Sequence, residues 1–193
     1  MSARDAILAA ARRNAPGPVP LPGLGAFGAE TEPGPLADRF RQSVEAAGGR
    51  VVEAADPAEA VRAAYPDAER VGSATDRVAG TVAPDGAPHA LADLDLFVCE
   101  GALGVAENGA VWLPESRLGG PSPGARVAPF LAPHVAVVLP AGALVATMHE
   151  AYSRAEAEGF GVFVAGPSKT ADIEQSLVVG AHGPVSLTVV IVP

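Results

Sequence analysis

A single cysteine, Cys99, stands in a chain of 193 residues. That count excludes an intrachain disulfide and any four-cysteine zinc or iron–sulfur site within the chain. Cys99 lies in the apolar run Leu96-Phe97-Val98-Cys99, where a thiol behaves as a small buried hydrophobe rather than a nucleophile. Basic residues are also few: 13 Lys and Arg against 22 Asp and Glu, a formal net charge of −9. No nucleic acid and no anionic membrane is expected as a partner, because both call for a basic surface. Aromatic residues make up only 5%, so the core must be built from small and branched side chains. No apolar run is long enough to span a bilayer, and Ile7–Ala11 is too short for the core of a secretory leader. The cytoplasm is therefore the expected location. Internal repeats and heptads are missing as well. With 49% apolar and 18% charged residues, the composition is that of a globular protein.

What the chain does have is an alternation of apolar runs and helical patterns, clearest between Phe160 and Val192. Phe160–Ala165 predicts a buried strand, and Gly166-Pro167 breaks it. Ser168 and Thr170 are N-cap types followed by Asp172 and Glu174, so a helix is expected to start here, with acids at its positive end. His182-Gly183-Pro184 imposes another turn before a closing strand, Val185–Val192. Loops at strand ends of this kind hold ligands in open α/β sheets.

Upstream, Ser2–Arg13 predicts a capped helix and Asn14–Pro35 a Pro/Gly-rich extended loop, so residues 1–34 separate from a single α/β domain at 35–193. Gly23-Leu24-Gly25-Ala26-Phe27-Gly28 matches a dinucleotide fingerprint formally. No strand precedes it and prolines follow it, so it is rejected. Helices are expected at Leu36–Ala47 and Pro57–Ala64, with a short one around Asp76–Ala79. Strands are expected at Arg50–Ala54, Arg70–Gly72, Leu94–Glu100, Gly109–Leu113 and Pro133–Leu139. Gly101–Asn108 reads as a turn, Leu118–Ala128 as a Gly/Pro loop and Gly142–Glu158 as a helix. The sum is a Rossmann-like mixed sheet flanked by helices, with some antiparallel pairing in the middle.

Three constellations could carry chemistry. Glu107-Asn108-Gly109 is a turn between two apolar runs. It reads either as a plain hairpin corner or as a carboxylate held at a strand end, able to take a proton or attack an acyl carbon. Gly166-Pro167-Ser168-Lys169-Thr170 has the wrong glycine–lysine spacing for a P-loop. What survives is a helix start with two hydroxyls and a lysine, which could bind a small carboxylate or phosphate. His182, in the turn that follows, is a structural residue or a proton carrier near neutral pH. His149-Glu150 lacks the second histidine of a zinc-protease motif, His89 and His134 receive no role, and Trp112 is assigned to the core.

The motifs GPSKTADIE, GAHGP and the terminal apolar strand, with LADRFRQSVEAAGGRVVEA and Glu107-Asn108-Gly109, resemble the lactate-utilisation (LUD) domain family, in particular its lactate utilization protein C branch. The resemblance implies the NagB/RpiA/CoA transferase-like fold. It also implies a role in oxidising L-lactate to pyruvate beside iron–sulfur partner proteins, with no cofactor in this chain. From the readings of the three constellations, Glu107 and His182 are the candidate catalytic residues. Asn108, Gly109, Gly166, Ser168, Lys169, Thr170 and Asp172 are the candidate substrate-binding residues. Relatives usually carry threonine where Asn108 stands. Glu-Asn-Gly is instead the triplet bearing the nucleophilic glutamate of class I CoA transferases, so an acyl-CoA enzyme is the alternative, and a small-anion binding module a third. Self-association into a homo-oligomer is left open.

Overall fold

In the computed structural model, residues 2–17, 34–155, 159–171 and 177–193 are described. Met1–Glu30 and Thr31–Pro193 form separate compact units. In the first, helix α1 (Ala3–Asn14) is closed by a capping box, in which Ser2 and Asp5 satisfy each other's backbone N–H groups. The Gly23–Gly28 motif lies outside the described residues.

The second unit is built on five strands that are parallel throughout: β1 (Arg50–Glu53), β2 (Val71–Ser73), β3 (Leu96–Glu100), β6 (His134–Pro140) and β11 (Ser186–Val192). Their order is β1-β11-β6-β3-β2. Both faces are covered, which is why β6 and β11 read as nearly unbroken apolar runs. One face carries Val51, Leu187, Val189, Val135, Val137, Leu139, Phe97 and Cys99, packed with Phe40 and Val44 of helix α2 (Leu36–Ala46). The other carries Leu96, Val98, Ala136, Val138, Val190 and Val192 beneath Val61 of helix α3 (Pro57–Ala64). A second sheet of four strands lies in the order β7-β4-β5-β8. It comprises β4 (Leu103–Val105), β5 (Val111–Pro114), β7 (Leu144–Val145) and β8 (Gly161–Val164). Here β4–β5 and β5–β8 are antiparallel, the pairing expected for the middle of the chain. The fold is therefore Rossmann-like α/β, its mixed character divided between two sheets. Among the described residues no helix is long and apolar enough to cross a membrane.

Helix α2 ends in a glycine-dependent motif. Gly48 has φ +86, its N–H reaches Glu45 O at 2.8 Å, and Gly49 N–H reaches Val44 O at 2.8 Å. Two helices differ from expectation. The second half of the segment read as a Gly/Pro loop is the start of α4 (Pro123–Leu131), capped by Ser122 and holding Pro129 inside it. The helix expected from Gly142 starts later, as α5 (Met148–Arg154), because Leu144 and Val145 pair with β4 and Thr147 supplies the cap. Asp76–Ala79 is turn rather than helix. Within the supposed turn 101–108, Leu103–Val105 forms β4.

Cys99 has no exposed surface, and burial pushes its thiol from 9.0 up to about 12. A group raised on folding gives its full contribution below the unfolded value, and that contribution is lost as pH rises toward the folded one. The urea midpoint is therefore expected to fall between pH 9.0 and about 12. A Cys99→Ala variant should lose less over that interval. In the native protein a thiol reagent should label Cys99 only at the rate of unfolding. Rapid labelling without denaturant would show that the thiol is reachable.

Candidate functional site

Glu107-Asn108-Gly109 forms the corner between β4 and β5. Asn108 Oδ1 accepts from Ala110 N–H at 3.0 Å, the local bond that makes Asn-Gly a turn former. Gly109 has φ +72 and presses on the backbone of α2 at Ser43 and Val44. Ser43 Oγ donates to Ala106 O at 2.7 Å, so helix and corner are pinned together. The Glu107 carboxylate is exposed and accepts from Met148 N–H, at the start of α5, at 2.8 Å. An acid is electrostatically favoured at that helix end.

The Gly166–Thr170 segment differs from expectation. Lys169–Ala171 is strand β9, paired antiparallel with β10 (Leu177–Val179), so Ser168 and Thr170 do not cap a helix. The binding site expected from free amides at a helix start is thereby removed. Thr170, opposite Val178, serves the hairpin. Asp172 lies outside the described residues. Nor are the two loops at the ends of neighbouring strands: β8 belongs to the four-stranded sheet and β11 to the parallel one. The 180–185 loop enters β11 and therefore lies at the amino edge of the parallel sheet, not at the carboxyl edge.

The corner and the Gly166 loop nevertheless share a neighbourhood. Val111 pairs with Val164 in antiparallel register. Both chains leave that pair toward the same sheet end, to Gly109 and Gly166. Gly166, at φ +69, abuts Ala47, one helical turn beyond the Ser43–Val44 contact of Gly109. Lys169 Nζ lies beside Gly48, 3.5 Å from the position a β-carbon there would take. A cation is favoured at that end of α2. Ser168 joins the third loop: its N–H donates to Pro184 O at 2.8 Å, and its Oγ would lie 3.3 Å from a β-carbon on Gly183. His182 is the exposed neighbour of that contact. Trp112 is half-buried in a cross-strand pair with Phe163, ring centroids 4.7 Å apart. Among the described residues no group of three His, Cys, Asp or Glu is placed to hold a metal ion.

The family model described as the LUD domain matches residues 83–192, more than half of the sequence. This chain belongs to the LUD domain family. The matched stretch of the LUD domain begins ahead of β3 and includes Glu107, Lys169 and His182. The LUD domain is also similar to the crystal structure of a DUF162 family protein from Deinococcus radiodurans. That likeness covers 83% of this chain and 100% of the other, with 18% identity and a TM-score of 0.59. At such identity it bears on the fold alone. No curated protein matches the chain.

Nothing in the sequence singles out Ser43, Ala47 or the Met148 amide, which position the candidate residues through contacts made only in the folded chain. A second polar cluster, around Arg50 and His134, carries no sequence motif. Its one readable signal is a polar residue at the start of each apolar strand.

Proposed function

We propose that this LUD domain protein is the non-redox subunit of a complex that oxidises L-lactate to pyruvate, of the lactate utilization protein C kind. Two electrons and two protons leave lactate in that reaction. The electrons would pass to iron–sulfur clusters in partner proteins, since this chain has a single, buried cysteine. The observation that supports the reading best is that the Glu107 corner and the Gly166–Lys169 loop, both among the family-matched residues, converge on the end of α2. In this reading Lys169 and Ser168 attract the carboxylate, Asn108 and the backbone around Gly109 orient it, Glu107 takes the hydroxyl proton, and the C2 hydrogen leaves as the second proton while the C2–H electron pair passes to the partners. His182 carries a proton outward.

The test has two parts. The protein should co-purify with iron–sulfur partners, and its deletion should abolish growth on lactate. Normal lactate growth in the deletion strain would overturn the proposal. Glu107→Gln should leave assembly intact while lowering lactate oxidation by the reconstituted complex about a hundredfold. Borohydride trapping of a Glu107 thioester during incubation with acyl-CoA would instead favour the CoA-transferase reading, which the Glu-Asn-Gly triplet motivates.

A further inference from the structure

Helix α3 has eight residues and is about 12 Å long, whereas β6 and β11 each have seven and run about 23 Å. The helix therefore cannot cover the whole face beneath it. At its end, Tyr65 turns the chain away, and a cleft of about 520 Å³ opens over the amino ends of four strands. Deeper along this face the strands carry Ala136, Val138, Val190 and Val192. At the cleft they carry Arg50, Ser186, Thr188 and His134 instead, side by side in register: Arg50 beside Thr188 and Ser186 beside His134.

These groups are linked. Arg50 NH2 donates to Thr188 Oγ1 at 3.2 Å. The Tyr65 hydroxyl lies 2.8 Å from Thr188 Oγ1 and 3.1 Å from Ser186 Oγ. His134 Nδ1 lies 2.8 Å from Ser186 Oγ. Thr188 is 1% exposed, so its hydroxyl depends on these partners. Arg50 has no carboxylate partner among the described residues. Its other contact is the Tyr65 ring, 6.0 Å away. One hydroxyl contact leaves most of a guanidinium's donors unspent. At the opposite end of the cleft stands Asp95, next to Leu96, the residue of β3 that pairs with His134. Backbone N–H groups of Arg70 and Glu69 hold its carboxyl below the ordinary carboxylate range, so it is charged near neutrality.

Arg50 and Asp95 are thus separated by three strand spacings across the sheet, about 14 Å, and by a further three residues along it, since Arg50 lies level with Val98. We infer that this cleft binds a hydroxylated organic anion of sugar-acid or sugar-phosphate size, with its oxyanion group at Arg50 and its hydroxyls along His134 and Ser186 to Asp95. The volume falls within the range of small-molecule sites, about 300–1,000 Å³. A three-carbon acid is too short to touch both ends, so the assignment does not depend on the lactate chemistry proposed above. The guanidinium fits a planar or tetrahedral oxyanion in two-point fashion. A carboxylate at the far end accepts hydroxyl protons but repels a second anionic group.

Calorimetric titration of the full chain with gluconate and with glucose 6-phosphate tests the assignment. Binding of gluconate alone identifies a carboxylate head group. Binding of glucose 6-phosphate, weakened by competing inorganic phosphate, identifies a phosphate; either result supports the site. Arg50→Met, at an exposed position, should weaken binding at least about tenfold. His134→Asn is the second variant, and circular dichroism should report both as folded. Asp95→Asn should reduce the preference for the hydroxylated probe over inorganic phosphate. Failure of both probes to bind at millimolar concentration would overturn the proposal. So would wild-type affinity in both Arg50→Met and His134→Asn.

Discussion

Gly109→Ala is expected to destabilise the protein by more than about 4 kcal/mol, a loss found only where a mutation has a specific structural cause. Two costs add here. At φ +72 an alanine pays about 1–2 kcal/mol for the left-handed backbone. Its β-carbon would also lie 2.6 Å from Val44 N and 2.8 Å from Ser43 C. Those atoms are helix backbone and cannot swing aside, so the Glu107 corner would have to lift from α2 and break the Ser43 hydroxyl bond to Ala106 O. Gly48→Ala is the matched control. It shares the positive φ, at +86, but meets only side-chain atoms, at 3.5 Å. It should cost about 1–2 kcal/mol, the backbone contribution alone. Urea midpoints of the two variants decide the matter: equal losses would mean that contact with α2 contributes nothing.

The second large effect is expected at Phe97→Ala, about 3–5 kcal/mol. Phe97 has no exposed surface and sits on β3, inside the edge strand of the parallel sheet, paired with Gly72 on one side and Val135 on the other. Gly72 makes room for the ring: a β-carbon there would come within 3.4 Å of Phe97 Cδ2. Removing the ring leaves a void beside a residue with no side chain to fill it. The flanking backbones are held by ladder hydrogen bonds and cannot close in. For a chain of this size the melting temperature should drop by roughly 6–20 °C. Phe97→Leu, which keeps most of the volume, should cost less than about 1.5 kcal/mol. Similar melting points for the alanine and leucine variants would indicate that the site collapses freely.

The long elements were legible because their own residues determine them. Strands β6 and β11 are apolar at nearly every position since both faces are covered. Helices α2 and α3 carry Gly48-Gly49 and Asp56-Pro57 as stop and start signals. Strands β4, β7 and β9 were not legible. Each has two or three residues, and their state is set by the partner they pair with rather than by propensity. Ser168 and Thr170 show the conflict plainly. Both suit a helix cap, yet threonine also suits a strand, and pairing with Leu177–Val179 decides the outcome. Helix α4 was hidden by the Gly119–Gly124 run of glycine and proline at and before its start, residues that more often make loops.

The candidate site was legible to a similar extent. Asn-Gly announces its corner in the sequence, and the corner is where it was expected. That it adjoins the Gly166 loop follows from the Val111–Val164 register, which no local pattern reveals. The Arg50 cleft was invisible for the same reason. His134 and Ser186 are 52 positions apart and become neighbours only when β6 and β11 pair.

The placement of β11 between β1 and β6 also bears on how the protein is made. Arg50 and its cross-strand neighbour Thr188 are 138 residues apart, so β1 emerges from the ribosome long before its partner exists. Until then the β1 edge that β11 will occupy is open, although α2 can already pack on β1 and on the Gly109 corner. Translation must run through Val192 before the sheet can close. Pairing across so long a separation should make refolding from denaturant slow for a chain of its size.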